Sequence, residues 1–162
     1  MWIGYVYNYN GYINQYDYTS SPSLISTLQI TTQGTSTTPY ELQCISYDGT
    51  YLWVTSYNEN CIYYINYNET PLTICGPIST GNKPWGIYSN EVNIWVSCSG
   101  NVSGGNSIYQ YNYSNLTTPP LIISLSSGSI PGFISYDGKY LWVSGSGSNK
   151  VYQIDYSLLP PA

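Results

Sequence analysis

The chain has 162 residues, enough for one domain or a short repeat array, and it carries little charge: three basic residues, all lysine, eight carboxylates and no histidine. Because no basic stripe exists for phosphates, we expect no nucleic-acid partner, and the lack of histidine removes the commonest general base near neutral pH. No apolar stretch approaches the roughly 18 residues of a membrane-spanning helix, so we expect no membrane span. An aromatic content of 17% indicates a chain that folds.

One sequence phrase recurs along the chain. It begins in shortened form near the N-terminus, and full copies follow at residues 44–67 (CISYDGTYLWVTSYNENCIYYINY), 86–113, with a longer central loop, and 133–156 (FISYDGKYLWVSGSGSNKVYQIDY). The anchor tryptophans of the four copies are 51, 42 and 47 residues apart in sequence: Trp2, Trp53, Trp95 and Trp142. Such a period is typical of repeat architectures, including helical pairs and propeller blades.

Local chemistry favours strands over helices. The copies alternate short runs rich in Tyr, Ile, Val, Trp and Thr with hairpin signals such as Asp48-Gly49 and Asp137-Gly138. A full repeat divides into four antiparallel strands, called A, B, C and D in chain order. The strands predicted in the last three copies span residues 44–47, 51–55, 62–67 and 72–78, then 86–89, 93–97, 107–113 and 121–125, then 133–136, 140–144 and 150–156. The fold class is therefore predicted to be all-β, a β-propeller of four blade-like repeats.

The repeats are predicted to form a single domain, residues 1–162, with limits at approximately 1–40, 41–83, 84–129 and 130–162. The first repeat lacks strand A and the last lacks strand D, so the first and last blades are incomplete. Short edges could tolerate this, a longer natural chain could complete the blades, or a neighbouring subunit could add a strand. We expect residues 2–7 and 156–162 to close the ring, and self-assembly or a protein partner to cover the open edges.

The phrases at residues 81–87 (GNKPWGI), 93–97 (NIWVS), 136–144 (YDGKYLWVS) and 149–152 (NKVY) resemble repeats of the NHL, YVTN and virginiamycin B lyase group of β-propellers. The resemblance covers nearly the whole chain and implies the propeller fold. It implies no particular activity, because this fold carries many unrelated functions. The lyase members use histidine and a divalent metal in the central channel. Since this chain has no histidine, we expect no enzyme activity, no metal and no other cofactor.

Four cysteines allow three disulfide pairings. If strands C and D turn around residues 68–69, Cys61 falls almost opposite Cys75, which predicts a cross-strand disulfide between them. Cys44 and Cys98 would then form a second bridge between neighbouring blades. The alternative is four buried thiols.

Two kinds of side chain are candidates for ligand contact. Asp48 and Asp137 could bind calcium, but each lies in a Tyr-Asp-Gly turn, and we interpret both as turn residues. Trp85 lies outside the repeat pattern, near a D-to-A connection, and Tyr40 holds the equivalent place in another copy. We predict Trp85 and Tyr40 as ligand-binding residues, with structural packing as the alternative.

Four Asn-x-Ser/Thr motifs, the acceptor sites of N-glycosylation, lie in or beside predicted loops, and we predict glycans there: Asn68, Asn101, Asn112 and Asn115. With the low charge and a pI near 4.1, they indicate an extracellular protein or one on a virion surface. We therefore expect a non-enzymatic structural or adhesive module that acts through protein–protein contacts. The alternative is a glycan-binding propeller that uses Trp85 and Tyr40.

Overall fold

The computed structural model describes residues 2–7, 10–17, 19, 21, 23–30, 41–100, 106–155 and 157, with side chains from residue 12 onward. Fourteen strands and no α-helix are found in these residues. They form four antiparallel sheets in which strands follow chain order. The predicted fold class, a propeller of four blade-like repeats with incomplete first and last blades, is confirmed.

Each sheet is one blade. The first contains β1 (Trp2–Tyr7), β2 (Asn10–Asp17) and β3 (Ser23–Ile30). The second contains β4 (Leu42–Tyr47), β5 (Tyr51–Ser56), β6 (Cys61–Asn66) and β7 (Thr73–Ser79). The third contains β8 (Pro84–Ser89), β9 (Asn93–Cys98), β10 (Ser107–Asn112) and β11 (Leu121–Ser124). The fourth contains β12 (Pro131–Tyr136), β13 (Tyr140–Gly145) and β14 (Lys150–Asp155).

The A-to-B turns repeat one capping motif. The Asp48 carboxylate accepts the backbone N–H groups of Thr50 and Tyr51 at 2.9 and 2.8 Å, and it also accepts the indole N–H of Trp53. Asp137 makes the same three contacts in the fourth blade. Both aspartates therefore stabilise turns, and the turn interpretation of these residues is confirmed.

Apolar side chains pack between blades, in three clusters that correspond to the three blade–blade contacts. Trp53 belongs to the cluster between the second and third blades, and Trp95 to the cluster between the third and fourth. Their side chains are 1% and 0% exposed. The anchor tryptophans of these two blades thus pack between blades, as a repeat array requires when each unit buries its face only against its neighbours.

The blades follow one another in an arc, in which β4 packs against β8 and β8 against β12. Within the described residues the arc does not close into a ring. Residues 156 and 158–162 lie outside the described part of the chain, so the expectation that residues 2–7 and 156–162 close the ring stays a prediction.

The predicted disulfides require correction. All four cysteines are free thiols: Cys44, Cys61, Cys75 and Cys98. Strand β7 pairs Cys75 with Tyr64, and Cys61 lies opposite Ser79 instead. The predicted register is wrong because the pairing of β6 with β7 ends at Asn66 opposite Thr73, which leaves a longer turn than predicted, and the ladder shifts between Ile62 and Tyr64.

Candidate interaction site

Each blade has two faces. We call the face toward the following blade the front face and the face toward the preceding blade the back face. In the second and third blades the front face is covered by the next blade. In the fourth blade no described residues cover it, and we call this surface the free front face.

Side chains at equivalent positions are buried on the covered front faces and exposed on the free front face. Trp142 holds the position of Trp53 and Trp95, yet it is 36% exposed. Val151 holds the position of Ile62 and Ile108, both fully buried, and it is 68% exposed. An apolar surface of this kind commonly marks an interaction site.

A repeated hydroxyl shows how a covered front face is built. The ladder between strands A and B is irregular at one place in each of the last three blades, and there a side chain from strand B caps a backbone N–H of strand A. Thr55 accepts from Cys44 at 3.0 Å and donates to the Trp85 carbonyl of the next blade at 2.9 Å. The Thr55 hydroxyl therefore stabilises both the bulge between strands A and B of its blade and the contact with the neighbouring blade.

The third and fourth blades repeat the bulge but differ in the second contact. Ser97 accepts the N–H of Gly86 at 2.8 Å and donates to the Gly132 carbonyl of the fourth blade. Ser144 accepts the N–H of Phe133 at 3.0 Å, and its side chain is exposed. The free front face therefore carries a hydroxyl at the place where the covered faces hold the next blade.

Strand A differs from blade to blade at one position on the front face. The second blade has Cys44 there, the third has Gly86 and the fourth has Phe133. A Cβ atom on Gly86 would lie 2.4 Å from the Gly132 carbonyl oxygen, so glycine allows the next strand A to approach. Phe133 is 60% exposed, and a large side chain is tolerated because no described strand approaches it.

An asparagine links successive blades at the B-to-C turn. Asn60 accepts the backbone N–H of Lys83 at 2.8 Å, and Asn106 accepts that of Ile130 at 2.9 Å. Both have a left-handed backbone, with φ of 55° and 54°. Asn149 has the same conformation in the fourth blade, φ 52°, and is exposed. The free front face thus carries the same asparagine that links each covered front face to the next blade.

The predicted ligand-binding residue Trp85 lies on β8 and is half-buried. Its ring meets that of Tyr57 nearly at right angles with 5.7 Å between centroids, and the ammonium of Lys83 lies 5.1 Å from the Tyr57 ring. Trp85 also lines an apolar cleft of about 140 Å³ with Ile130 and Phe133. Tyr40 lies outside the described residues, so its role as a ligand-binding residue stays a prediction.

A second cleft lies between the second and third blades and is larger, about 480 Å³. Its lining is uncharged and mostly polar, from the B-to-C turn of one blade, the D-to-A connection and the outer strands of the next: Asn60, Thr80, Asn82, Ser107, Tyr109 and Ser124. Sequence reasoning missed this cleft because its residues come from separate segments that carry no common motif.

Three of the four free thiols are poor nucleophiles. Burial raises the pKa of Cys98 to about 12, and burial also raises the pKa of Cys61 to about 12. Desolvation acts in the same direction on the pKa of Cys44. Since only the thiolate is strongly nucleophilic, these three side chains remain unreactive near neutral pH.

The glycosylation motifs occupy different environments. Asn68 and Asn115 are exposed in C-to-D turns. Asn112 is half-buried at the end of β10; its side-chain oxygen accepts the backbone N–H and the hydroxyl of Ser114, as that of Asn115 does from Thr117. Asn101 lies outside the described residues. Two of the four positions therefore present an accessible amide on the surface.

Among the described residues, no group of three or more His, Cys, Asp or Glu side chains comes together, and no helix is long and apolar enough to cross a membrane. Carboxylates are scattered over the surface and the turns.

The sequence matches no family model and no curated protein. Solved structures share its fold: glutaminyl cyclase from Myxococcus xanthus (TM-score 0.60, 11% identity), a functionally unknown protein from Desulfotomaculum acetoxidans (0.62, 18%) and virginiamycin B lyase from Staphylococcus aureus (0.56, 14%). The matches cover 91%, 93% and 93% of this chain but 58%, 51% and 53% of those chains. The chain thus spans about half the length of these proteins, and the likeness establishes the resemblance to NHL- and YVTN-type propellers at the level of the fold.

Proposed function

We propose that this chain is a non-enzymatic structural or adhesive module, located outside the cell or on a virion surface, that acts through protein–protein contacts. The observation that carries the proposal is the free front face of the fourth blade. It exposes Trp142 and Val151 at positions where the other blades bury their side chains against a neighbour.

Burial of this face would be favourable. Removal of apolar surface from water contributes roughly 25 cal/mol per Å², and covering a valine or tryptophan that is now exposed contributes on the order of 1–3 kcal/mol each. The hydroxyl of Ser144 and the amide of Asn149 add polar groups that a partner backbone can pair with. The face therefore combines apolar area with directional contacts, as protein interfaces do.

Several side chains that could support catalysis are already used structurally. The carboxylates of Asp48 and Asp137 cap turns, and burial keeps the thiols of Cys61 and Cys98 protonated. These observations support a role in contacts over a role in chemistry.

The test of this function is hydrogen exchange on protein purified intact from its natural source, compared with the isolated recombinant chain. We expect backbone amides of β13 and β14 to exchange more slowly in the native assembly. As an internal control, amides of the A-to-B turn at residues 90–92 should exchange equally in both samples. Equal exchange of β13 and β14 would reject the proposal.

The external location has its own test. The exposed amides of Asn68 and Asn115 support glycosylation. In intact-mass analysis, we expect the mass of the protein from its natural source to exceed the 18.1 kDa of the bare chain. A mass equal to the bare chain would argue against a glycosylated extracellular protein.

Glycan binding is a second candidate, supported by the Trp85–Tyr57 pair beside an apolar cleft. Aromatic rings of this kind can pack against the apolar face of a sugar. On a glycan array, Trp85→Ala should abolish any selective binding, whereas the matched variant Trp142→Ala, whose side chain does not line this cleft, should retain it. Binding that is absent in the unmodified chain, or unchanged by Trp85→Ala, would reject this candidate.

A further inference from the structure

We infer that the free front face of the fourth blade binds the first blade of a second copy of this chain, and that two copies close one propeller ring. This inference rests on the proposed function, because it names the partner of the same face. It follows from the contacts that the blades make within the chain.

The internal contacts give the template. In each of the three described blade–blade contacts, the front face of one blade packs against the back face of the next. Within the described residues, the four-blade arc leaves one front face, on the fourth blade, and one back face, on the first, without a neighbouring blade. One surface is a front face and the other a back face, which is the combination found in every internal blade–blade contact.

The Phe133 side chain limits which kind of blade can pack on the free front face. At the equivalent position in the third blade, the following strand A approaches so closely that a Cβ on Gly86 would contact the Gly132 carbonyl and Phe133 Cα, at 2.4 and 2.9 Å. A phenylalanine side chain at that position would occupy the volume of an incoming strand A. The free front face consequently suits a blade that has no strand A.

The described part of the first blade has this form. It consists of β1, β2 and β3, and its register matches strands B, C and D of the other blades, since Trp2 pairs with Gln15 as Trp95 pairs with Gln110. No strand A is described beside β1. In the proposed contact, Phe133 fills the space that strand A occupies in the internal contacts.

The side chains of the two faces are compatible. The back face of the first blade carries Asn14, whose oxygen accepts from Thr27 at 2.9 Å and whose amide lies 3.3 Å from the Tyr16 hydroxyl. The centre of the free front face carries Trp142 and Val151. All five side chains are uncharged, so their contact removes no ionised group from water, which is the costly step in burying a polar surface.

The size of the arc explains why two copies suffice. Two four-blade arcs together supply eight blades, and propellers are typically built of about 4–8 blades. A front-to-back contact is heterologous, and such contacts form a closed ring when their rotation closes and a filament when it does not. Two four-blade arcs joined front to back at both ends close the ring, with two equivalent contacts.

The experiment is native mass spectrometry and sedimentation velocity on the purified full chain over a concentration series. We expect a species of twice the 18.1 kDa chain mass. Val151→Asp on the free front face and Thr27→Lys on the back face of the first blade should each raise the dissociation constant roughly tenfold or more, as charges do in a desolvated contact.

The control is Val92→Asp, which introduces the same charge at a valine of similar exposure, 61% against 68%, in the A-to-B turn of the third blade. It should leave the dimer unchanged. Near-UV circular dichroism checks that each variant folds, and Gln153→Glu, also on the free front face, replaces Val151→Asp if that variant does not fold.

A monomer at every concentration would overturn the inference. If β13 and β14 are nevertheless protected in the native assembly, the proposed function stands with a different partner; if they are not, both fail. Loss of the dimer on Val151→Asp but not on Thr27→Lys would also overturn it, because a dimer of two free front faces would not involve the first blade.

Discussion

The third and fourth blades carry equivalent copies of the repeat and differ in what surrounds them. Trp95 is fully buried beneath the fourth blade, whereas Trp142 is 36% exposed at the equivalent position. Ile108 and Val151 differ in the same way, 0% against 68%. The comparison teaches that burial in a repeat array is a property of the neighbouring unit, because each blade covers its faces only against the next.

The largest expected effect tests this difference at the tryptophans. Trp95→Ala removes a fully buried side chain and its indole hydrogen bond to Gln110, 3.2 Å, and should lower the free energy of unfolding by about 3–5 kcal/mol. Trp142→Ala, studied at low protein concentration where the free front face is unoccupied, should cost about 1 kcal/mol. Urea denaturation followed by far-UV circular dichroism measures both, and equal losses would contradict the comparison.

The next effect concerns the close approach of neighbouring A strands. Gly86→Ala would place a Cβ 2.4 Å from the Gly132 carbonyl oxygen, so the two blades must move apart, and we expect a loss of about 1–3 kcal/mol. Phe133→Ala, at the same position of the fourth blade, should cost under about 1 kcal/mol because its ring is mostly exposed. Thermal unfolding of both variants measures the two losses. A larger loss for Phe133→Ala than for Gly86→Ala would contradict the close approach of the A strands at Gly86.

A smaller effect comes from the hydroxyl that caps the bulge. Ser97→Ala removes a buried acceptor and donor and leaves the Gly86 N–H without its partner, which should cost about 1–3 kcal/mol. Ser144→Ala frees the Phe133 N–H at an exposed position where water can replace the hydroxyl, so the loss should be under about 0.5 kcal/mol. Chemical denaturation of the two variants side by side provides the measurement.

The smallest effect is a difference in acid response between the turns. Hydrogen bonds from the Tyr140 N–H, the Trp142 indole and the Lys139 N–H lower the pKa of the Asp137 carboxyl below its usual 3.8. A lowered folded-state pKa stabilises the protein above the unfolded-state pKa, and this stabilisation is lost as pH falls through the folded-state value. Asp137→Asn should therefore flatten the loss of stability below about pH 4.

The third blade supplies the matched control for this prediction. Asn90 caps the equivalent turn without ionising, by accepting the N–H groups of Val92 and Asn93 at 2.9 and 2.8 Å. Asn90→Asp should accordingly introduce the acid response that Asp137→Asn removes. Unfolding midpoints across the acid range report both, and parallel curves for the two variants would show that the turn carboxylate does not contribute.

Much of the fold was predictable from the sequence. The predicted strand at residues 51–55 corresponds to Tyr51–Ser56, and the one at 140–144 to Tyr140–Gly145. Such agreement is physical, because aromatic and β-branched runs between Asp-Gly turns have few alternatives to a hairpin. The cysteine pairing failed, since composition does not fix the length of the C-to-D turn, and the ladder shift next to Tyr64 has no sequence signal.

The candidate site was only partly predictable. The phase of the repeats indicated open blades, but no sequence signal marked Phe133, because its position differs in each full copy: Cys44, Gly86 and Phe133. Trp85 could be singled out because it breaks the pattern. Its contact with Tyr57, and the polar cleft around Tyr109, required the structure, since the contributing segments are distant in sequence.

The sequence by itself determined the strands, the four-blade repeat and the chemistry of the turns, because these depend on contacts between residues close in the chain. Only the tertiary structure decided which of the equivalent tryptophans is buried, where strand A requires glycine and which face is left open. Those properties depend on whether another blade lies alongside, and identical local sequences, such as the Leu-Trp-Val runs around Trp53 and Trp142, cannot encode the presence of a neighbour.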